Sequence, residues 1–389
     1  MSPTVADVVA VLEAAYPPAL AEPWDAVGLV CGDPDEPVRR VLVCVDPVEV
    51  AIDEAIEREA QLLVAHHPLM LRGVNAVPAN SAKGRAVHRL IRSGAALFCA
   101  HTNADSADPG VSDAFAEALG LTITGPLDPK PAEPKDALSV TVPVGDVQRL
   151  LDALAEAGAG RMGRYADAAW FTDGTGQYRP LDGATPTLGT VGELHREPET
   201  RIETAFPRHR RPAVLAALHA THPYESPAYD LHELVAEPST RGLGRIGELP
   251  EAEPLGDFAQ RVADALPTTA WGVRAAGDPD RPVRTVAVCG GAGDSYLDRA
   301  TRAGVDAYVT ADLRHHPAGE HLARGDVPGV TVPALVDVAH WASEWPWCHQ
   351  AADVIRTGLG GTVEVLVSTR RTDPWTVGAT PSPSRRNPA

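Results

Sequence analysis

No run of apolar residues in this 389-residue sequence approaches the ~20 that a membrane-spanning helix requires. Met1 to Ala15 lacks a basic start and a compact apolar core, so no secretory signal is expected and the cytoplasm is the expected location. The five cysteines, Cys31, Cys44, Cys99, Cys289 and Cys348, are odd in number and never spaced C-x-x-C. That argues against a disulfide framework and against a thiolate zinc site. Four of them sit in or beside apolar, strand-like runs, where a reduced thiol packs as a small hydrophobe. Lysine is nearly absent. Only Lys83, Lys130 and Lys135 occur among 34 basic residues, a composition bias that carries no function of its own. Positive charge is in deficit overall, with a net charge of −18 and a pI near 5.2. Such a surface repels phosphate backbones, and nucleic acid is disfavoured as a partner. The one basic run, Arg208–Arg211, is short and isolated and reads as a solvated helix start.

What is present is an ordinary globular composition, 44% hydrophobic and 22% charged, in a chain long enough for two domains. Strand and helix patterns alternate in the first segment. Val41–Asp46 predicts a buried strand, residues 48–60 a helix, and Gln61–Ala65 a second strand ending at His66-His67-Pro68. A helix over Ser81–Ser93 leads to a third strand, Ala95–Ala100, ending at His101, and helix resumes over Val111–Leu119. This spacing implies a mainly parallel sheet covered by helices. Gly125–Pro134 (GPLDPKPAEP) reads as a linker. Beyond it, Ala137–Val144, Ile202–Phe206 and Ala228–Leu234 predict strands, with helices over Asp146–Ala157 and Pro212–His219. Their order suggests an inserted ferredoxin-like α+β domain. Parallel-sheet patterning returns after Leu243, with strands at Arg284–Gly290, Asp306–Thr310, Val330–Val336 and Thr362–Val367. The expected organisation is therefore an α/β core over 1–125 and 245–370, an inserted domain over 126–244, and a flexible tail over 371–389, whose end from Thr380 is polar and Pro-rich.

Two blocks of the core resemble each other. Val38–His67 and Val283–Asp312 share strand–helix–strand spacing, as an internal duplication would produce. In that alignment Ala311-Asp312 takes the place of His66-His67, and Asp312 is expected to face the same cleft.

Three polar clusters fall just past predicted strands: A-H-H-P (Ala65–Pro68), A-H-T-N-A-D (Ala100–Asp105) and D-V-A-H-W-A-S-E (Asp337–Glu344). The carboxyl edge of an open α/β sheet is where sites assemble. His340 and Glu344 are i and i+4, on one face of a helix, with Asp337 suited to its N-cap. His101 and Asp105 are also four apart, on a loop entering a helix. Adjacent His66 and His67 cannot share a face of a regular strand, but at a strand end each can serve a different ion. Imidazoles with carboxylates suit zinc, iron, manganese, nickel or cobalt. A carboxylate such as Glu344 can bridge ions ~3.5–4 Å apart, as in hydrolytic two-metal sites. Gly290–Gly293 is neither G-x-G-x-x-G nor a P-loop, so no phosphate site is assigned there. Trp341, Trp345 and Trp347 are expected to pack the wall of the site.

These motifs in this order resemble the dinuclear-metal-centre hexameric proteins, often labelled GTP cyclohydrolase I type 2 homologues. W-D-A-V-G-L (Trp24–Leu29), G-G-A-G (Gly290–Gly293) and T-H-P-Y-E-S-P-A-Y-D (Thr221–Asp230) also resemble family motifs, and the likeness runs from about Trp24 to Val367. It implies two divalent ions per subunit held by His66, His67, Asp105, His340 and Glu344, with His101 a ligand or a neighbour of the ligands. His316, in L-R-H-H-P, matches a cleft-facing histidine of the family. The inserted domain is similar to PII and CutA modules, which in the family sit over the pore of a hollow homohexamer.

The expected function is metal-dependent hydrolysis of a small molecule, a guanine nucleotide by resemblance. Two ions would lower the pKa of a shared water, and His101 or His316 would move the proton. A non-catalytic metal store, chaperone or sensor, and a phosphoesterase, use the same ligands and stand as rival readings.

Overall fold

The computed structural model describes residues 2–163, 165–236 and 239–379; the tail residues from Thr380 onward lie outside the described residues. Two compact units emerge, Met1–Lys130 with Thr240–Ala389, and Pro131–Ser239.

The first unit opens with α1 (Val5–Ala15), β1 (Gly28–Cys31), β2 (Arg40–Cys44), α2 (Glu49–Glu57), β3 (Leu62–Ala65), α3 (Ala82–Arg92) and β4 (Ala96–Cys99). It continues through α4 (Thr102–Ser106), α5 (Val111–Ala118) and β5 (Thr122–Pro129). The second unit holds β6 (Lys135–Pro143), α6 (Val147–Glu156), β7 (Trp170–Tyr178), β8 (His195–Pro207), α7 (Arg211–Thr221) and β9 (Tyr229–Glu233). The chain then returns to the first unit with β10 (Gly242–Pro254), α8 (Leu255–Ala265), β11 (Arg274–Ala276), β12 (Pro282–Ala292) and α9 (Leu297–Ala303). It ends with β13 (Ala307–Ala311), α10 (His315–Ala323), β14 (Ala334–Val338), α11 (His340–Gly358) and β15 (Glu364–Val367).

The fold is mixed α/β, as the alternating patterns imply. One sheet has the order β1-β4-β3-β2-β15, the other β11-β14-β13-β12-β10-β5. β15, β2, β3 and β4 are parallel, and β1 runs antiparallel to β4. In the other sheet β12, β13 and β14 are parallel, while β11, β10 and β5 are antiparallel additions. The order β1-β4-β3-β2 thus recurs as β11-β14-β13-β12, which extends the duplication read in sequence to whole half-sheets. β2, β3 and β4 are apolar on both faces because both faces are covered. A shared core of Val43, Val64 and Phe98 from one sheet and Val288, Val309 and Val336 from the other encloses Phe115 of α5 and Trp347 of α11. The outer face of the first sheet packs on Ile52 of α2 and Leu90 of α3. The outer face of the second packs on Ala300 of α9.

Arg245 of β10 is buried, and its guanidinium is fully engaged. It donates to both Asp113 oxygens (2.7 and 2.6 Å) and to the carbonyls of Gly242, Gly244 and Ala107. It therefore ties the start of α5, and the α4 turn before it, to the second sheet.

Sequence reasoning misses β1, β5, β7, β10 and β11, and for β5 and β7 the reason is identifiable. Half of Gly125–Pro134, read as a linker, is the end of β5, paired antiparallel with β10, and 130–134 is a connection to β6. Its prolines are tolerated because β5 is an edge strand, where a missing N–H breaks no ladder. β7 (WFTDGTGQY) is an exposed edge strand with no apolar alternation to reveal it. With β7 the second unit has the strand order β7-β8-β6-β9 and the βαββαβ connectivity of a ferredoxin-like fold. Asp337, read as a helix N-cap, lies instead within β14. The strand runs on to Val338, and Ala339 holds the cap position.

In the second unit Asp136 is fully buried and accepts from Arg211 (Nε, 2.6 Å) and Arg208 (Nε, 3.0 Å). The Arg211 bond, reinforced by Arg208, holds this carboxyl below the usual range. Its stabilisation is therefore present above the ordinary carboxylate pKa of about 4 and lost as pH falls through the lower folded value. Asp136→Ala is expected to speed amide exchange in β6 and β8 by about an order of magnitude at pH 7. The difference from the parent chain should shrink below about pH 4. Hydrogen-exchange mass spectrometry of the full chain measures both.

Candidate metal centre

The carboxyl ends of the parallel strands converge on one cluster of imidazoles and carboxylates. His66 and His67 directly follow β3, and their amides continue the ladder to Cys44 and Val45. His101 caps α4, which carries Asp105. His340 opens α11, and Glu344 follows one turn later. The A-H-x-x-x-D segment after β4 and the A-H-x-x-x-E segment after β14 are the same device in the two halves.

Ligand atoms of His66, His67 and His101 lie within 4.8 Å of one another, and so do those of His67, His340 and Glu344. Glu344 spans the two groups. Its Oε1 is 3.5 Å from His66 Nε2 and 3.0 Å from His340 Nε2, and its Oε2 is 3.2 Å from His67 Nε2. His66 Nε2 is 3.6 Å from Asp105 Oδ1.

Every one of the four imidazoles is held from behind through Nδ1. His66 donates to the Ala100 carbonyl (2.9 Å), His67 to Asp46 (2.7 Å), His101 to Asp25 (2.9 Å) and His340 to Asp312 (2.7 Å). With the proton fixed on Nδ1, each Nε2 turns a lone pair inward, the arrangement of carboxylate–histidine–metal sites. His66 Nε2 and Glu344 Oε2 are buried and have no hydrogen-bond partner. His67 Nε2 and His340 Nε2 stand 3.3 Å apart, a distance at which two lone pairs repel unless a cation lies between them. Buried acceptors without donors cost free energy, and a divalent ion satisfies them together. The residues fit a metal.

The electrostatics agree. Burial opposes a charge on Glu344, yet His340, His67 and His66 hold its carboxyl well below the usual range. Burial pulls His67 down, but Glu344 and Asp46 outweigh it and lift it to about 10. Glu344 and, after it, Asp312 lift His340 against burial to about 11. Burial and the nearby His66 lower His101 to about 4. Burial raises Asp105 to about 6. The cluster draws in positive charge, and His101 offers a neutral lone pair near pH 7.

β12 closes one side. Gly291 sits at φ +68°, and a Cβ there would stand 2.5 Å from Glu344 Oε1 and 3.2 Å from His340 Nε2. Only glycine lets the backbone approach so closely. The Gly291 amide also donates to Ser343 Oγ (2.9 Å), which fixes the first turn of α11. The opposite side opens to a cleft of about 670 Å³ bordered by Asp46, His67, His101, Asp312 and His340.

His66, His67, His101, Asp105, His340 and Glu344 are thus brought together, and Asp312 faces the cleft where the duplication places it. His316 is not brought in. It is exposed on the first turn of α10, its ring packs on His315, and it does not line the cleft. Asp25 and Asp46, which orient His101 and His67, go unassigned in sequence. The signal was available: Asp46 ends the predicted strand Val41–Asp46, on the same sheet edge as the histidines, and Asp25 lies within W-D-A-V-G-L.

The sequence profile of the Duf34/NIF3 (NGG1p interacting factor 3) family matches residues 3–374. The chain belongs to this family. It is 54% identical over 376 residues, 96% of its length and 97% of the relative's, to a Mycobacterium tuberculosis protein named GTP cyclohydrolase 1 type 2 homolog. A Bacillus subtilis protein of the same name is 40% identical, over 87% of this chain and 88% of that one. Among solved structures, a Bacillus cereus protein related to NIF3 superposes with a TM-score of 0.76 at 35% identity, covering 96% of this chain and 99% of its own.

Two substitutions test the site apart from any activity. Asp46→Asn removes the carboxylate behind His67 and is expected to weaken divalent-metal affinity about 10- to 100-fold. Gly291→Ala should lower metal content without changing a donor. Metal analysis of protein purified without chelator reads both.

Proposed function

We propose that this chain is a metal-dependent hydrolase that holds two divalent ions and acts on a nucleotide or a related small molecule. The observation that carries this reading is the set of inward-facing, partnerless acceptors, His66 Nε2 and Glu344 Oε2 above all, in contact with His67 and His340, which line an open cleft. A storage site has no need of a cleft above its ligands, whereas a catalytic one keeps a side open to substrate. His66, His101 and Asp105 would hold one ion, and His67 and His340 the other, with Glu344 placed to touch both. When bound, such a pair lowers the pKa of water toward neutrality and polarises an electrophile. The protein supplies the rest. Asp46, Asp25, Asp312 and the Ala100 carbonyl lock the imidazoles in one tautomer, and Gly291 holds β12 against Glu344. His101, low in pKa, suits a ligand better than a proton shuttle.

The names of the relatives point to a guanine nucleotide as substrate. Metal-loaded protein is expected to release formate or a pterin precursor from GTP, followed by chromatography. His67→Ala should lose activity about 100-fold or more, and the exposed Glu251→Ala should keep it. Full metal occupancy with no turnover would favour a metal store. Turnover of simple phosphate esters but not of GTP would favour a phosphoesterase. A homohexamer is the proposed assembly, and light scattering should return six times the 41.0 kDa chain mass.

A further inference from the structure

Three large, exposed indoles surround the metal cleft: Trp24 (58% exposed), Trp271 (39%) and Trp375 (60%). Trp24 lies edge-on to His101 at 6.0 Å, and Trp271 and Trp375 line the cleft itself. Indoles left in water forfeit burial, and a cluster of them at one opening marks a surface that a ligand covers. Trp271 is fixed, because its Nε1 donates to Asp337 (3.1 Å) and the Arg274 guanidinium sits 4.5 Å over its ring. Trp375 faces it at 6.2 Å with a tilt of 36°. Beside them lies Asp373, only 7% exposed. Its Oδ1 accepts from the Trp375 amide, but its Oδ2 is buried with no hydrogen-bond partner. A desolvated carboxylate oxygen without a donor is costly, and a ligand N–H would satisfy it.

We propose that Trp271, Trp375 and Asp373 form a base-reading subsite beside the metals for a planar heterocycle with two adjacent N–H donors on one edge. Guanine and pterin share that edge, a ring N–H next to an exocyclic amine. A carboxylate accepts both donors in parallel, as it does from arginine. Adenine presents a ring nitrogen lone pair at the same place, which Asp373 repels. The ring stacks on the indoles, with Trp271 as the standing wall. Trp375 is the moving wall. Two stacking layers need about 7 Å between indole planes, so Trp375 must rotate outward. Asp373 Oδ2, now buried, must become accessible in the same movement for a ligand to reach it. Lys83, on the rim of the cleft, supplies a cation for a phosphate chain. The choice of substrate class rests on the hydrolase reading above, but the subsite is defined by binding alone.

The test is isothermal titration of the metal-loaded full chain with GTP, ATP and neopterin. GTP is expected to bind about tenfold or more tightly than ATP. Asp373→Asn, nearly isosteric, should weaken GTP and neopterin about tenfold or more and tighten ATP, because the repulsion of the adenine ring nitrogen is removed. Trp375→Ala, at an exposed position, should weaken GTP about tenfold, and Trp375→Phe should restore most of it. Tighter GTP assigns the subsite to a nucleotide, and tighter neopterin to a free pterin. Equal affinity for GTP and ATP, no binding of either, or a preference unchanged in Asp373→Asn overturns the proposal. Binding with these dependences but no turnover would sink the hydrolase reading and leave the subsite. GTP turnover indifferent to Trp375 and Asp373 would do the reverse.

Discussion

A carboxylate buried in a protein interior must meet positive charge, and Glu344 meets it from three directions. Solvating that oxygen pair in water would be easy. Holding it at 3% exposure against His66, His67 and His340 requires protons or metal ions in the middle. The surrounding architecture follows from this demand. β3 delivers two adjacent histidines past its end, α11 begins where β14 stops, and Gly291 lets β12 pass within contact of the carboxylate. Asp46, Asp25 and Asp312 then stand behind the rings, so that each lone pair has one direction in which to point. The rigid sheet edges matter here, since ligands borne on strand ends and first helical turns keep their geometry better than ligands on long loops.

The two half-sheets explain how such a site arises from simple parts. Each half places a histidine just after its third parallel strand and an acidic residue four positions later: His101 with Asp105, and His340 with Glu344. The halves differ at the end of the middle strand, where His66-His67 faces Ala311-Asp312. One half thereby contributes extra donors, and the other contributes a residue that orients a donor. Asp312 adopts φ +56°, an uncommon conformation for a residue other than glycine, at the point where it turns to meet His340. The asymmetry between the copies is concentrated at the cluster.

Much of this was legible in the sequence because parallel strands covered on both faces write themselves as short apolar runs. VLVCV, QLLVA and AALFCA mark their own ends, and the polar residue after each run falls on the functional edge. What stayed hidden lacked that contrast. β5 carries two prolines, and β7 two glycines among mostly exposed residues, so neither shows alternation. Asp25 reaches His101 across 76 positions, a pairing that only the fold can reveal. Asp373 and Trp375 fell within a stretch read as tail. Their role depends on Thr372 bonding to Asp46 and on Trp375 meeting Trp271, contacts more than a hundred residues apart.

β5 and β10 are hydrogen-bonded neighbours, with Pro129 opposite Gly242 and the Lys130 amide bound to the Arg241 carbonyl. The chain therefore leaves the core and re-enters it at two adjoining points of one hairpin. Removing everything between them and joining the strands with a two-residue Asn-Gly turn would cut no ladder of the larger unit. A ligand-bearing core of roughly two-thirds the length can thus be spliced out by a single deletion, and the excised segment read separately for what it adds.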